Sequence, residues 1–159
     1  MTHGRAGDNP IGPRKRSSRD RHDMDTFTVQ TRRRNEFVEI TEQVRQSLAR
    51  AGLREGFGVV YCPHTTAAIT INENADPDVV QDMLLWLERA VPQVQPGFRH
   101  GEGNSDSHIK ASLVGSSATV IVENGDLLLG RWQGVFFCEF DGPRTRTVKM
   151  KWVGAKEIV

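Results

Sequence analysis

"SATVIVENGDLLLGRWQGVFFCEFDGPRTRTVKMKWV", residues 117–153, holds four apolar or alternating runs separated by glycine-containing turns. "SATVIVEN", "DLLLG", "GVFFCEF" and "TRTVKMKWV" each have the length and the β-branched or aromatic content of a strand. "ENGD" at 123–126 has the chemistry of a hairpin connection, because Asn-Gly accepts the positive φ such turns require. The C-terminal part of the chain therefore predicts strand after strand.

Upstream, strands and helices mix without a regular alternation. "TFTVQTR" and "EFVEI" read as two short strands, and "TEQVRQSLARAG" then changes period. Val44, Leu48 and Ala51 mark the inner face of a short helix, with Thr41 as its cap and Gly52 closing it. "GFGVVYC" and "TTAAITIN" predict two further strands, with a bend at Pro63–His64 where proline cannot donate to a ladder. "DPDVVQDMLLWLERAV" predicts a helix capped by Asp76, with Pro77 in its first position. Val79, Met83, Trp86 and Leu87 are its expected buried face, and Pro92 ends the helical pattern. "SDSHIKASLVG" predicts a shorter helix capped by Ser105 or Asp106. The sum is an α+β fold, a compact single domain with a mainly antiparallel sheet and two to three helices.

The 159 residues suit one domain, with 37% apolar and 26% charged side chains. No apolar run reaches the length of a bilayer span, and no apolar segment succeeds the basic N-terminus as a secretory signal requires. Cys62 and Cys138 lie in apolar runs and belong to no CxxC pair, so they read as buried free thiols and the cytosol as the expected address. Residues 1–23 carry six basic against three acidic side chains, whereas the rest is acidic by two. We therefore expect a basic, solvated extension over 1–23, a domain over 24–159, and Met24 as a candidate second start. The body gives no electrostatic reason to bind nucleic acid or a membrane.

Several polar residues fit no obvious structural role. His64, His100 and His108 each fall beside a turn. Three imidazoles with one open position is an arrangement used for catalytic zinc, so these three are candidate ligands of a divalent metal, zinc or magnesium. "INENADPD" sets Asn72 and Glu73 at a strand end ahead of a helix that already has Asp76 as its cap. Glu73 is thus the preferred general base or histidine partner, with Glu102 and Asp106 as alternatives. His64 and His108 are the other candidate catalytic groups. "FDGPRTR" offers Arg144 and Arg146 for a phosphate, and "SLVGSS" offers Ser116 and Ser117 beside a glycine as an anion nest. Asn104 and Gln133 are candidates to orient a heterocycle, and Trp132 to cover one.

The segments "YCPHTTAAITINENADPDVVQDM", "HGEGNSDSHIKASLVGSS" and "LLLGRWQGVFFCEFDGPRTR" resemble the YjbQ family, also known as UPF0047. The resemblance runs from about Asp25 to Trp152. The family signature reads here through Ser117, Val120, Val122, Gly125, Gly130, Trp132, Gln133 and Val135, with Arg131 standing where the family usually has Thr. The resemblance implies a compact α+β fold, a homotrimer with sites near subunit contacts, and a weak thiamine-phosphate synthase activity. That reaction joins a hydroxymethylpyrimidine diphosphate to a thiazole phosphate and releases pyrophosphate, so a small phosphorylated substrate is expected. By resemblance the site residues are His64, Asn72, Glu73, His100, His108 and Arg144. A metal-dependent hydrolase and a non-catalytic metal- or ligand-binding trimer are the other readings.

Overall fold

A computed structural model describes residues 24–154; the basic extension expected over 1–23 and residues 155–159 lie outside the described residues. The elements run β1 (Asp25–Gln30), β2 (Glu36–Glu39), α1 (Thr41–Ala51), β3 (Gly56–Tyr61), β4 (Ala67–Glu73), α2 (Pro77–Ala90), α3 (Ser105–Val114), β5 (Ser117–Glu123), β6 (Asp126–Leu127), β7 (Gln133–Glu139) and β8 (Thr145–Gly154). They form a five-stranded sheet ordered β1-β8-β3-β5-β6 and a three-stranded sheet ordered β2-β7-β4. Every pairing is antiparallel, so the α+β expectation holds.

The four C-terminal strands do not form one meander. β5 and β6 make the expected hairpin, with Val122 opposite Leu127 and both Asn124 and Gly125 at positive φ. β7 then leaves for the other sheet, between β2 and β4. Its sequence explains why. Val135 and Phe137 enter the core shared with β8, β3 and α1, while Phe136, Cys138 and Phe140 enter a second cluster with Leu87 of α2 and Ala111 of α3. A strand covered on both faces reads as a continuous apolar run, and "GVFFCEF" is one.

α1 closes on Gly52, whose φ of 64° is left-handed. Its start corrects the expectation. Ile40 holds the cap position and no side chain caps the helix. The Thr41 hydroxyl instead accepts the Val135 amide at 2.9 Å and donates to Glu39 Oε1 at 2.9 Å. Ala51 is exposed; the inward position belongs to Ser47, whose Oγ accepts the Trp152 indole N–H at 3.0 Å.

In α2, Asp76 accepts the Asp78 amide and Pro77 leads the helix, as expected. The predicted buried face is only partly buried. Leu87 is enclosed, Val79 and Met83 are half-buried, and Trp86 is 64% exposed. At α3, Asn104 takes the cap position without a side-chain cap bond, so neither Ser105 nor Asp106 is the cap. Two nearby side chains with capping chemistry are engaged elsewhere: Asn104 donates to Asp141 Oδ2 at 3.0 Å and Asp106 pairs with Lys110 at 2.8 Å.

Candidate functional site

The end of β3 decides the first part of the site. β3 pairs with β8 as far as Tyr61 opposite Lys149. Continuing that register would set Pro63 opposite Thr147, but the chain turns away at Cys62–Pro63. The Thr147 amide would then lack a partner, a costly state for a backbone donor shielded from water. The imidazole of His64 takes the absent strand's place: its Nε2 accepts the Thr147 N–H at 2.8 Å.

His64 opens onto a cavity of about 280 Å³ lined by Pro63, Thr65, Thr66, Glu102, Asn104, His108, Asp141, Arg144 and Arg146 as well. The sequence-predicted His64, Glu102, Asn104, His108, Arg144 and Arg146 thus meet in one pocket. His100 stands just behind, its ring 5.4 Å from that of His108 in an edge-on contact and its Nε2 3.8 Å from Glu102 Oε2.

Two charge networks frame this pocket. In the first, Arg146 makes two bonds to Glu139, at 2.7 and 2.6 Å, and a third to Thr66 Oγ1 at 2.9 Å. Glu139 is fully buried and also accepts from Thr31 and from the Phe140 and Asp141 amides. The Glu139 hydrogen bonds hold Arg146 more firmly protonated than usual, against the opposing effect of burial. Gly142 makes room for this arrangement, because a Cβ there would stand 2.4 Å from the Arg33 carbonyl oxygen and 2.8 Å from Glu139 Cγ.

The second network is a chain of alternating charge. Lys110 pairs with Asp106, Asp106 with Arg34, Arg34 with Asp141, and Asp141 with Arg144, at 2.8, 2.8, 3.1 and 2.7 Å. Three cations alternate with two carboxylates, so the chain carries one positive charge in excess; of its two cationic ends Lys110 is buried and Arg144 is open to the pocket. Burial works to raise the Asp141 carboxyl, but the Asn104 hydrogen bond and the Arg144 and Arg34 charges outweigh it and hold it below the usual range. Asn104 is 5% exposed and spends its amide N–H groups on Asp141 and Glu102, which leaves Oδ1 buried without a partner. A buried orphan acceptor is costly; a ligand donor in this pocket would satisfy it.

The remaining predicted residues lie elsewhere in the chain. Glu73 is at the far end of β4, opposite Gln133. It lines a different recess, of about 410 Å³, with Glu36, Glu39, Asn74 and Asp76. Asn72 turns its amide to Met83 Sδ and accepts the Glu73 amide. Gln133 closes its own turn by accepting Gly130 N–H at 2.8 Å. Ser116 and Ser117 are exposed at the start of β5, and neither lines the histidine pocket. Arg131 is exposed over Trp132, 4.8 Å from the ring centroid.

A metal does not fit the three histidines as this chain arranges them. An imidazole whose Nε2 accepts a backbone N–H carries its proton on Nδ1, so His64 has no lone pair to give a cation. Among the described residues no group of three or more His, Cys, Asp or Glu is arranged to hold a metal. The sequence reading missed Arg34, Glu139 and Asp141, gave Lys110 no role, and took Asp106 for a helix cap or a reserve base. Two signals were present: a glutamate inside the apolar run "GVFFCEF", and Asp106 and Lys110 at the i,i+4 spacing of a helical ion pair.

The chain shares this fold and these segments with known proteins. The family described as UPF0047 protein YjbQ-like matches residues 25–155. UPF0047 protein YugU of Bacillus subtilis is 52% identical over 131 residues, 82% of this chain and 99% of that protein. A UPF0047 protein of Methanocaldococcus jannaschii is 48% identical, over 82% of this chain and 94% of that one. Among solved structures, a YjbQ/UPF0047 protein from Clostridium acetobutylicum superposes with a TM-score of 0.79 at 50% identity, covering 81% of this chain and 99% of the other. A Sulfolobus solfataricus protein described as of unknown function gives 0.79 at 30% identity, covering 84% and 97%. The chain belongs to the UPF0047 YjbQ-like family.

Proposed function

We propose that the His64–His108–Arg144 pocket binds the phosphate of a small phosphorylated substrate, and that the chain is a thiamine-phosphate synthase-like transferase. The observation that carries this reading is the alternating ion chain, one positive charge in excess overall, whose exposed cationic end is Arg144 beside two imidazoles. Arg144 spends Nε and Nη2 on Asp141, which fixes the plane of its guanidinium. An arginine so held is preorganised for oxygen anions.

In the coupling, the thiazole nitrogen attacks the methylene carbon of the pyrimidine, the C–O bond to the diphosphate breaks, and pyrophosphate leaves with the electron pair. Charge grows on the leaving oxygens, so donors placed there lower the barrier. Arg144 is assigned that role, with His108 as proton donor to the departing group. The orphan Oδ1 of Asn104 suits an amino group of the pyrimidine. The reading also takes the assembly as a homotrimer, which the family resemblance implies, and its address as the cytosol, which the two buried free thiols Cys62 and Cys138 support; no described helix is long and apolar enough to cross a membrane.

The test is direct. Wild-type protein with both phosphorylated substrates should form thiamine phosphate and pyrophosphate in equal amounts. Arg144→Ala should slow this on the order of a hundredfold. Phosphate release from either substrate alone would replace the transferase with a hydrolase. Substrate binding without turnover would leave a binding module.

A further inference from the structure

His64 has two nitrogens with different fates, and only one belongs to the fold. Nε2 is committed to the Thr147 amide, the donor left over where β3 ends. This contact fixes the tautomer, since a nitrogen that accepts a backbone N–H cannot itself carry a proton. The proton must then sit on Nδ1, which makes no hydrogen bond among the described residues.

We propose that His64 is held as the neutral Nδ1–H tautomer by the Thr147 amide and presents that N–H as a fixed hydrogen-bond donor to a phosphate oxygen bound in the pocket. It is then neither a metal ligand nor a general base. The proposal rests on the phosphate reading of the pocket and adds to it which group binds and in which protonation state. The surroundings agree. Arg146 and Arg144 line the same cavity as His64, and a positive charge on the ring would meet theirs. Glu139 is the acid able to favour a charged ring, but both of its oxygens are occupied by Arg146. Asp141 is shared among Arg34, Asn104 and Arg144, while Glu102 and His108 complete the charged and titratable groups of the cavity wall. Burial and Arg146 together lower the affinity of His64 for a second proton. A neutral imidazole that donates without titrating gives a binding site a donor whose state does not drift near neutral pH.

Two substitutions separate the two nitrogens. A glutamine side chain can place an amide oxygen near the Nε2 position, and an asparagine can place an amide N–H near Nδ1. His64→Gln should therefore keep the Thr147 contact and wild-type stability, yet bind inorganic phosphate roughly tenfold more weakly. His64→Asn should lose stability while its folded fraction keeps phosphate affinity to within about threefold. The full-length protein, labelled with ¹⁵N, gives the independent readout. At neutral pH the ring should show a protonated Nδ1 and an unprotonated Nε2, with the Nδ1–H signal shifting when phosphate is added. A protonated Nε2, or a charged ring at neutral pH, overturns the proposal whether or not phosphate binds. A correct tautomer with no phosphate binding by the wild type defeats the donor role together with the phosphate reading. Equal phosphate affinity in His64→Gln and wild type reduces His64 to a structural acceptor.

Discussion

Lys110 shows what a single residue means once its surroundings are known. It lies in "SHIKAS", where a lysine ordinarily faces water, yet it is 1% exposed with its ammonium on Asp106. Asp106 is 0% exposed and is shared with Arg34. Removing one partner of such a pair strands the other in a low-dielectric interior. Asp106→Ala should cost about 3–5 kcal/mol, read as a lower urea midpoint at unchanged slope. Lys110→Met should cost clearly less, since Asp106 keeps Arg34 and the thioether fills the space of the lysine stem. Equal losses in the two variants would mean that the pair acts through packing rather than charge. The i,i+4 spacing was visible in the sequence; the burial that gives it weight was not.

Among the elements, α1 and β7 carry opposite lessons. The end of α1 was legible because Gly52 sits at φ 64° with open space where a Cβ would point. Gly52→Ala should thus cost only the left-handed backbone penalty, about 1 kcal/mol, measured by thermal or urea unfolding. A much larger loss would mean that the residue packs against something. The start of α1 was not legible, because Thr41 is claimed by the Val135 amide of a strand 94 residues away. β7 was recognisable as a strand from its composition, but its sheet was not. That choice depends on Phe136, Cys138 and Phe140 finding a second apolar layer beneath α2 and α3.

At the scale of the molecule, apolar side chains remain uncovered in several places among the described residues, two of them neighbouring groups. Trp86 and Leu85 project from α2, and Phe57, Ile121 and Val153 form a row across β5, β3 and β8. Contiguous exposed apolar surface is typical of a subunit contact. The proposed homotrimer should appear as three times the chain mass by light scattering. Trp86→Glu and Ile121→Lys, made separately, should identify the face, since a charge placed in a true contact dissociates it. A wild-type monomer at micromolar concentration would end the trimer reading and leave both patches to some other partner. A trimer would also bear on Glu73, which in one chain lies at the other end of β4 from His64.

The sequence by itself determined the element types, the α+β class, the β5–β6 hairpin, the Asp76 and Gly52 helix ends and the family, because these depend on local period, turn chemistry and matching segments. It also singled out six of the residues that meet in the pocket, since polar side chains beside turns have no core to satisfy them. Only the tertiary structure decided the division into two sheets and the gathering of His64, Asn104, His108 and Arg144 away from Glu73 and Gln133. It alone committed His64 Nε2 to Thr147 and linked Lys110 to Arg144 through Arg34. Each of these is a contact between residues far apart in the chain. Whether a polar group there is exposed, paired or orphaned depends on which distant atoms exclude water from it, and no local pattern records that.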